Sequence, residues 1–464
     1  MKTFIGPRLR RLRIEHGQTQ VQMAKELGIS TSYVNLLEKN ERSVSVPVLL
    51  KLFEAYGVDW RDIAEDDDTA ALADIRAALQ DPLFEGHRPD LPQLRASLAH
   101  SPDLASAFVT LHRAYLAATD QLMSVAAAGE ESVLPTAPEA VVHNVFRRHQ
   151  NHFPRLEAAA EAFWDAPVAA DDMYFALKSR LRQQLGLRVR IAPVAEMPRS
   201  LREYDETRGE VRLSEALDHP NRLFQLVHVA GLLEQADLLD TILTEAGLED
   251  AHGRARCRVE LANYFAAAVL MPYDRFLAEA RASKYDFDHL ATRFGVSFEQ
   301  ACHRATTLQR TGHRGIPFFF LRIDKAGNVT KRFNATDFHL AEYGGACPRL
   351  EVHSVFRTPG RIVPQVVEMP DRSQFFVFAR TVDRPTFTRH AQDVRLAVAM
   401  GCARDHADAL GYAEDLNLAE ARPTEIGINC RICPRANCDQ RAHQALVLST
   451  PVDTARRGAT RYAT

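Results

Sequence analysis

The chain has 464 residues, 46% of them hydrophobic and 25% charged, which at roughly 150 residues per domain predicts about three domains, each with a core of its own. Fifty-seven Lys and Arg against 60 Asp and Glu give a net charge of -3, excluding a uniformly basic nucleic-acid coat but not a local basic face. No charged leader with an apolar core opens the sequence and no apolar run reaches about 18 residues, so the expectation is a cytoplasmic protein with no membrane segment. Seven cysteines in such a compartment point to metal binding before disulfides, the more so because Cys430, Cys433 and Cys438 crowd together.

Charge divides by region. Residues 1–62 hold ten Lys and Arg and seven Asp and Glu, a net +3, and the remainder holds 47 and 53, a net -6. The same stretch carries helix punctuation. Pro7 suits a first helical position, Leu9 and Leu12 share a face with Ile5, and Gly17 ends the turn. Thr19 and Gln22 form a capping box opening a second helix that stops at Gly28. Ser30 caps a third helix running to about Lys39, Ser45-Val46-Pro47 opens a fourth, and a fifth turn near Asp59–Ala64 closes the unit before Glu65-Asp66-Asp67-Asp68. Ala24 is small where two helices joined by Leu27-Gly28-Ile29-Ser30 must touch.

The segment from Gln18 to Asp59 resembles the Cro/repressor-type helix-turn-helix of xenobiotic-response-element regulators, a likeness covering nearly all of residues 6–63. It implies a double-stranded DNA operator as partner, with the third helix in the major groove. By that likeness Thr31, Ser32, Tyr33 and Asn35 contact base edges, and Arg11, Gln20 and Lys39 position the backbone. Asn35 is the best direct reader, since a carboxamide pairs bidentately with adenine.

Leu104, Phe108, Leu111, Tyr115, Ala118, Leu122 and Val125 recur at alternating spacings of 4 and 3. Such a stripe serves either a homodimer seam or an intramolecular core. A loop from Glu130 to Glu139 follows.

Residues 170–272 then pass from a helix ending near Gly186 to two strand-like runs, Leu187–Val194 and Gly209–Leu217, and to two apolar helices around His228 and Glu260. Order and phrasing resemble the ImmA/IrrE-type zinc-peptidase domain. Such an enzyme needs two His four residues apart, a Glu beside the first, and a later acidic ligand. Here His228 is followed by Val229 and Leu232 where the base and second His should stand, and Glu260 alone matches the later ligand. A zinc metallopeptidase is therefore disfavoured, and His228 reads as a buried imidazole bonded to Glu260 or backbone.

In the last third, strands are expected at Ile316–Ile323, beyond the turn Ala326-Gly327-Asn328, at Ile362–Met369 and at Gln374–Val382, while Val394–Leu410 reads as a helix or its start. Together with the Cys302–Arg310 and Gly315–Arg322 phrases, Tyr343–Arg349 and the C-x2-C-x4-C close, these segments resemble the short-chain fatty-acyl transcriptional regulators, which include methylcitrate-cycle and glyoxylate-pathway regulators. The likeness covers about residues 4–446. It implies a bacterial regulator of propionate or acetate metabolism with an acyl-CoA effector, and in some members an iron–sulfur cluster.

A CoA ligand needs cations for its phosphates. Arg304, Arg310, Arg314, Arg322, Lys331 and Arg332 lie within about 29 residues around Phe318-Phe319-Phe320. This predicts a basic rim (Arg304, Arg310, Arg314, Arg322) beside an apolar slot at Phe319, unless these are strand edges flanking a core. Cys430, Cys433 and Cys438 can meet one cluster, 4Fe-4S by the family likeness, with Cys402 or Cys347 as fourth ligand, each beside a glycine. Four sulfurs would also hold zinc. Cys257 and Cys302 read as buried thiols.

The resulting fold class is multidomain and mainly α with an α+β sensor. It comprises a five-helix DNA-binding domain at 1–63, a helical linker at 64–168, a peptidase-like domain at 169–312 and a C-terminal cysteine-rich domain at 313–464. The reading is a non-enzymatic transcription factor, with a redox-sensing regulator that ignores acyl-CoA as its rival.

Overall fold

The computed structural model describes residues 6–39, 41–56, 72–79, 81–84, 89–128, 138–164, 172–338, 345–385, 394–414, 416–418 and 420–445. The turn expected near Asp59–Ala64 and the acidic run after it lie outside the described residues. Two compact units divide between Ser132 and Val133.

In the first unit α1 (Gly6–Glu15), α2 (Gln20–Leu27), α3 (Thr31–Glu38) and α4 (Val46–Tyr56) surround one small core of Leu9, Met23, Ala24, Leu27, Val34, Leu37, Val48 and Leu52. The capping box at Thr19 and Gln22 forms as expected. Gly28 ends α2 in the left-handed region at φ 60°, where a Cβ would be strained. Ser30 then accepts the Tyr33 N–H and starts α3. Farther along, α5 (72–78), α6 (Leu91–His100) and α7 (Pro102–Ala128) share a second core of Ile75, Leu94, Leu98, Ala105 and Val109.

The second unit begins with α8 (Pro138–Arg148), α9 (Pro154–Glu161) and α10 (Met173–Leu185). Strands β1 (Arg188–Ala192), β2 (Arg202–Asp205) and β3 (Glu210–Ser214) make a sheet ordered β1-β3-β2, parallel then antiparallel. Helices α11 (His219–Glu234), α12 (Ala236–Glu245), α13 (Ala251–Leu270), α14 (Tyr273–Ala282), α15 (Phe287–Phe294) and α16 (Phe298–Ala305) follow. The final sheet has the order β5-β4-β8-β7-β6-β9, from β4 (Phe319–Ile323), β5 (Val329–Asn334), β6 (Val363–Glu368), β7 (Gln374–Asp383), β8 (Arg395–Ala403) and β9 (Thr424–Glu425). Its neighbours are antiparallel except β6 and β9.

Alternation along these strands sends side chains to two faces. Phe320, Phe376, Phe378, Val398 and Met400 join the large core that also holds Val142 and Phe146 of α8, Leu156 of α9 and the apolar side of α13. Phe319, Leu321, Phe375, Val377, Ala397 and Ala399 pack on the other face with Cys347 and Ile426. The peptidase-like helices and the C-terminal sheet thus share one core, and α8 and α9 belong to it.

One expectation is corrected. Residues 395–403 form the central strand β8, not a helix, because a strand covered on both faces loses its alternation and reads as a continuous apolar run. Gly401 sits opposite Phe319, and a Cβ there would lie 2.4 Å from that ring.

Candidate functional site

The exposed side of α3 carries Thr31, Ser32 and Lys39, with Tyr33 and Asn35 half-buried, while Val34 and Leu37 anchor the opposite side. Thr31, Ser32 and Asn35 therefore share one face of a helix held from behind, whereas Tyr33 packs against the core on its flank. Glu38 at the end of α3 accepts from Arg13 Nε at 2.6 Å and from Gln20 Nε2 at 2.7 Å, tying α1 and α2 to α3. Burial raises the Glu38 carboxyl, but these hydrogen bonds outweigh it and hold the group below its ordinary range. Gln20 thus makes an internal bond besides any it makes to phosphate. The Arg11 side chain lies outside the described residues.

The predicted stripe on α7 divides. Phe108 turns inward, 5.4 Å from the Phe84 ring, whereas Leu104, Leu111 and Tyr115 are 71%, 70% and 44% exposed. Leu104, Ala107, Leu111, Ala114 and Ala118 all lie on the exposed side at spacings of 3 and 4. The side chains of Leu122 and Val125 lie outside the described residues.

Cys347, Cys430, Cys433 and Cys438 line one small concavity, together with Arg349, Arg435 and Arg441. The Gly427 N–H donates to Cys347 Sγ and the Ala442 N–H to Cys430 Sγ, both at 3.5 Å. A Cβ on Gly427 would meet Cys433 Sγ at 2.5 Å, so only glycine lets that thiol approach. Buried Arg441 donates to the Cys430 and Cys433 carbonyls at 2.9 and 3.3 Å, and Arg435 to the Ile426 and Glu368 carbonyls at 2.8 Å each. Two guanidinium groups therefore fix the loop that presents the thiols. Burial pushes the Cys347 thiol up, and neighbouring Cys430 and Cys433 push it further.

Cys402 is not in this group, which corrects its assignment as fourth ligand. On β8 it faces the large core beside Phe376, on the opposite side of the sheet from Cys347, with its thiol pushed up to about 12 by burial. Cys257 and Cys302 are buried, as expected.

The arginines expected to rim an acyl-CoA slot do not converge. Arg304 is fully buried, donating to Glu157 at 2.6 and 2.9 Å and to the Met271 carbonyl at 2.9 Å. Arg310 pairs with Glu161 and Asp274 over the Tyr273 ring, and Arg322 pairs with Glu299 at 2.6 Å. Arg314 also has a partner, and its carbonyl accepts from Arg281. Phe319 points to the face away from Phe318 and Phe320 and stacks on Phe338 at 4.0 Å. Arg304 and Arg322 belong to buried or half-buried ion pairs and Arg310 to a surface one, so these side chains do not gather into a rim.

At the position where a peptidase would hold zinc, both nitrogens of His228 are occupied. Its Nδ1 accepts from Arg202 Nη1 at 2.6 Å, and its Nε2 lies 3.3 Å from the Val259 carbonyl, to which it donates. Burial first, then the Arg202 cation, pushes this imidazole down to about 4. Glu260 does not bond to it. Instead Glu260 pairs with Lys331 at 3.1 Å and Arg256 at 3.8 Å and accepts from Asn263. Burial pulls the Glu260 carboxyl upward, but Lys331 and Asn263 prevail and hold it at about 2. Arg202 and Lys331, cations in a metal's neighbourhood, were not identifiable in the sequence as partners of this corner: β2 was not anticipated, and Lys331 comes from β5.

A repressor-like helical unit joined to a peptidase-like fold that lacks the general base and the second histidine ligand defines a DNA-binding transcriptional regulator. A helix-turn-helix model matches residues 9–63, an IrrE N-terminal-like domain matches 182–306, and the C-terminal domain of the short-chain fatty acyl coenzyme A regulators matches 307–462. The chain is 39% identical over 465 residues to the Propionyl-CoA carboxylase regulator of Cereibacter sphaeroides, spanning 99% of this chain and 98% of that one. It is 37% identical to the HTH-type transcriptional regulator PrpR of Mycobacterium tuberculosis, over 97% and 94% of the two chains. A solved Mycobacterium tuberculosis transcriptional regulator matches at 35% identity with a TM-score of 0.66, over 71% of this chain and 100% of that one. The chain belongs to the short-chain fatty acyl coenzyme A regulators. Among the described residues no helix is long and apolar enough to cross a membrane.

Proposed function

We propose that this protein is a cytoplasmic, dimeric transcription factor that adjusts propionate or acetate metabolism by binding a short-chain acyl-CoA and changing its hold on an operator. The observation that carries this reading is the full-length likeness, at 39% identity, to a protein called Propionyl-CoA carboxylase regulator. An effector acts by preferring one arrangement of the sensor, and so shifting the equilibrium of the DNA-reading units. The seam of Leu104, Ala107, Leu111, Ala114 and Ala118 supports dimerisation through α7, since alternating large and small residues at these spacings suit a second copy of the helix. A two-fold dimer matches the symmetry of a palindromic operator.

The four-thiol concavity supports an iron–sulfur cluster held by Cys347, Cys430, Cys433 and Cys438. Amide N–H groups donate to two of the sulfurs and three guanidinium groups line the same concavity, outer partners of the kind that orient metal-bound sulfur. Such a cluster would supply one-electron redox chemistry or a rigid cross-link. The same concavity supports the second reading, a redox-sensing regulator indifferent to acyl-CoA. A peptidase has no such support, as Val229 and Leu232 replace the base and second ligand and His228 is fully bonded.

Calorimetry of anaerobically purified protein with propionyl-CoA and acetyl-CoA tests the effector. Heat with either supports it; no heat and no thermal shift with both would leave the redox reading.

A further inference from the structure

The abandoned metal corner is rich in positive charge. Arg202 opens β2, His228 lies on α11, Glu260 on α13 and His303 on α16, while Lys331 reaches in from β5 of the C-terminal sheet. One carboxylate, Glu260, serves both Lys331 and Arg256. Arg202 is half-buried, and among the described residues no carboxylate pairs with it; its one side-chain bond is to neutral His228. A guanidinium has five N–H donors, so most of its donors remain unused. Desolvating a cation without a counter-charge is unfavourable, and a fold retains such a group more readily when an anion arrives to pair with it. A second group lacks a partner as well: buried His303, held against the Phe333 ring at 4.2 Å, has no hydrogen-bond partner for Nε2 and shares its surroundings with Lys331 and Glu260.

We propose that Arg202 and Lys331 form an anion site for a phosphoryl group, placed where the peptidase-like part meets the C-terminal sheet. A metal corner has exchanged its cation for fixed protein cations and so reversed the charge of the ligand it accepts. Arg202 offers a planar fork to two phosphoryl oxygens, and Lys331 adds a point charge while still bonded to Glu260. Because Arg202 and Lys331 come from the two halves of the second unit, a bound phosphoryl group bridges them. The identification of CoA as the source of that group rests on the effector reading above; the anion site itself does not.

Calorimetry on the full-length protein with inorganic pyrophosphate, CoA and propionyl-CoA tests the site, using Arg202→Gln, Lys331→Gln and the charge-conserving Arg202→Lys. The expected result is at least about a tenfold loss of affinity for each probe in either Gln variant, with partial recovery in Arg202→Lys. The ligand-free melting temperature of Arg202→Gln should stay level or rise, because an uncompensated cation has been removed. Wild-type-like binding of CoA and propionyl-CoA by both Gln variants would overturn the site and leave the effector reading intact. If wild type binds pyrophosphate but no CoA compound, and Arg202→Gln loses pyrophosphate, the site stands and the effector reading fails. No binding of any probe by wild type overturns both. A lowered melting temperature with unchanged pyrophosphate affinity would make Arg202 only a support for His228, and would overturn the proposal.

Discussion

Arg304 and Glu157 face each other as a bidentate pair, Nη1 donating to Oε1 at 2.6 Å and Nη2 to Oε2 at 2.9 Å, with both side chains sealed from water. The pair joins α16 to α9 across 147 residues of sequence and is closed by Tyr264, whose hydroxyl donates to Glu157 at 2.5 Å. Removing one member strands the other. Arg304→Met should therefore destabilise the second unit by about 3–5 kcal/mol, while the Arg304→Met, Glu157→Leu double variant should recover much of the loss. Chemical unfolding of both variants checks this.

The same pair sets a pH dependence. Burial raises the Glu157 carboxyl, yet Arg304 and Tyr264 outweigh it and hold the folded-state value below the ordinary one. A depressed carboxylate contributes stability that is fully present above its unfolded value, about 4.3, and is lost as pH falls toward the folded value. Melting temperature should thus decline below about pH 5, less steeply in the Arg304→Met, Glu157→Leu variant.

On α3, Asn35→Ala should relax base preference at one operator position by about 1–3 kcal/mol, because a bidentate carboxamide contact is lost. Arg11→Ala should weaken all sequences alike and lower the salt slope by about 1. Binding titrations at several salt concentrations, against an operator selected from random duplexes and its single-base variants, separate these two patterns.

The thiol concavity makes a contrast between two buried cysteines. Cys347→Ser should lose bound iron and acid-labile sulfide from anaerobically purified protein, whereas Cys402→Ser, across the sheet, should keep both. Gly427→Ala should lower iron content too, since its methyl group would press on Cys433 Sγ at 2.5 Å.

For α7, Leu111→Glu replaces a 70% exposed leucine at the centre of the seam. Burying a leucine is worth about 1.5–3 kcal/mol, and a two-fold interface counts it twice. The dimer dissociation constant should rise by about a hundredfold or more, read by analytical ultracentrifugation, with the helical content unchanged.

Local signals in the sequence were reliable. The capping box at Thr19, the stop at Gly28 and the cap at Ser30 are decided within four residues, and all three form. The His228–Glu260 corner is legible in the sequence, and of the two partners expected for His228 the backbone is the one found, at Val259; the Arg202 and Lys331 contacts are not legible, because these residues arrive from elements 26 and 103 residues away from His228 in the chain. The arginine run beginning at Arg304 looked like a ligand rim because sequence shows cations without the acids, Glu157, Glu161 and Glu299, that meet them on folding. Cys402 was misassigned together with β8: once that segment is a central strand, the period of 2 turns its thiol into the large core. Spacing alone does not choose Cys347 over Cys402, since only the sheet decides which face meets Cys430 and Cys433.

The most direct test is operator affinity of the full-length protein with and without saturating propionyl-CoA, measured by fluorescence anisotropy at fixed salt. Effector control requires the dissociation constant to change by at least about fivefold, the lower range of ordinary allosteric coupling. An operator affinity that is the same with and without the effector would contradict it.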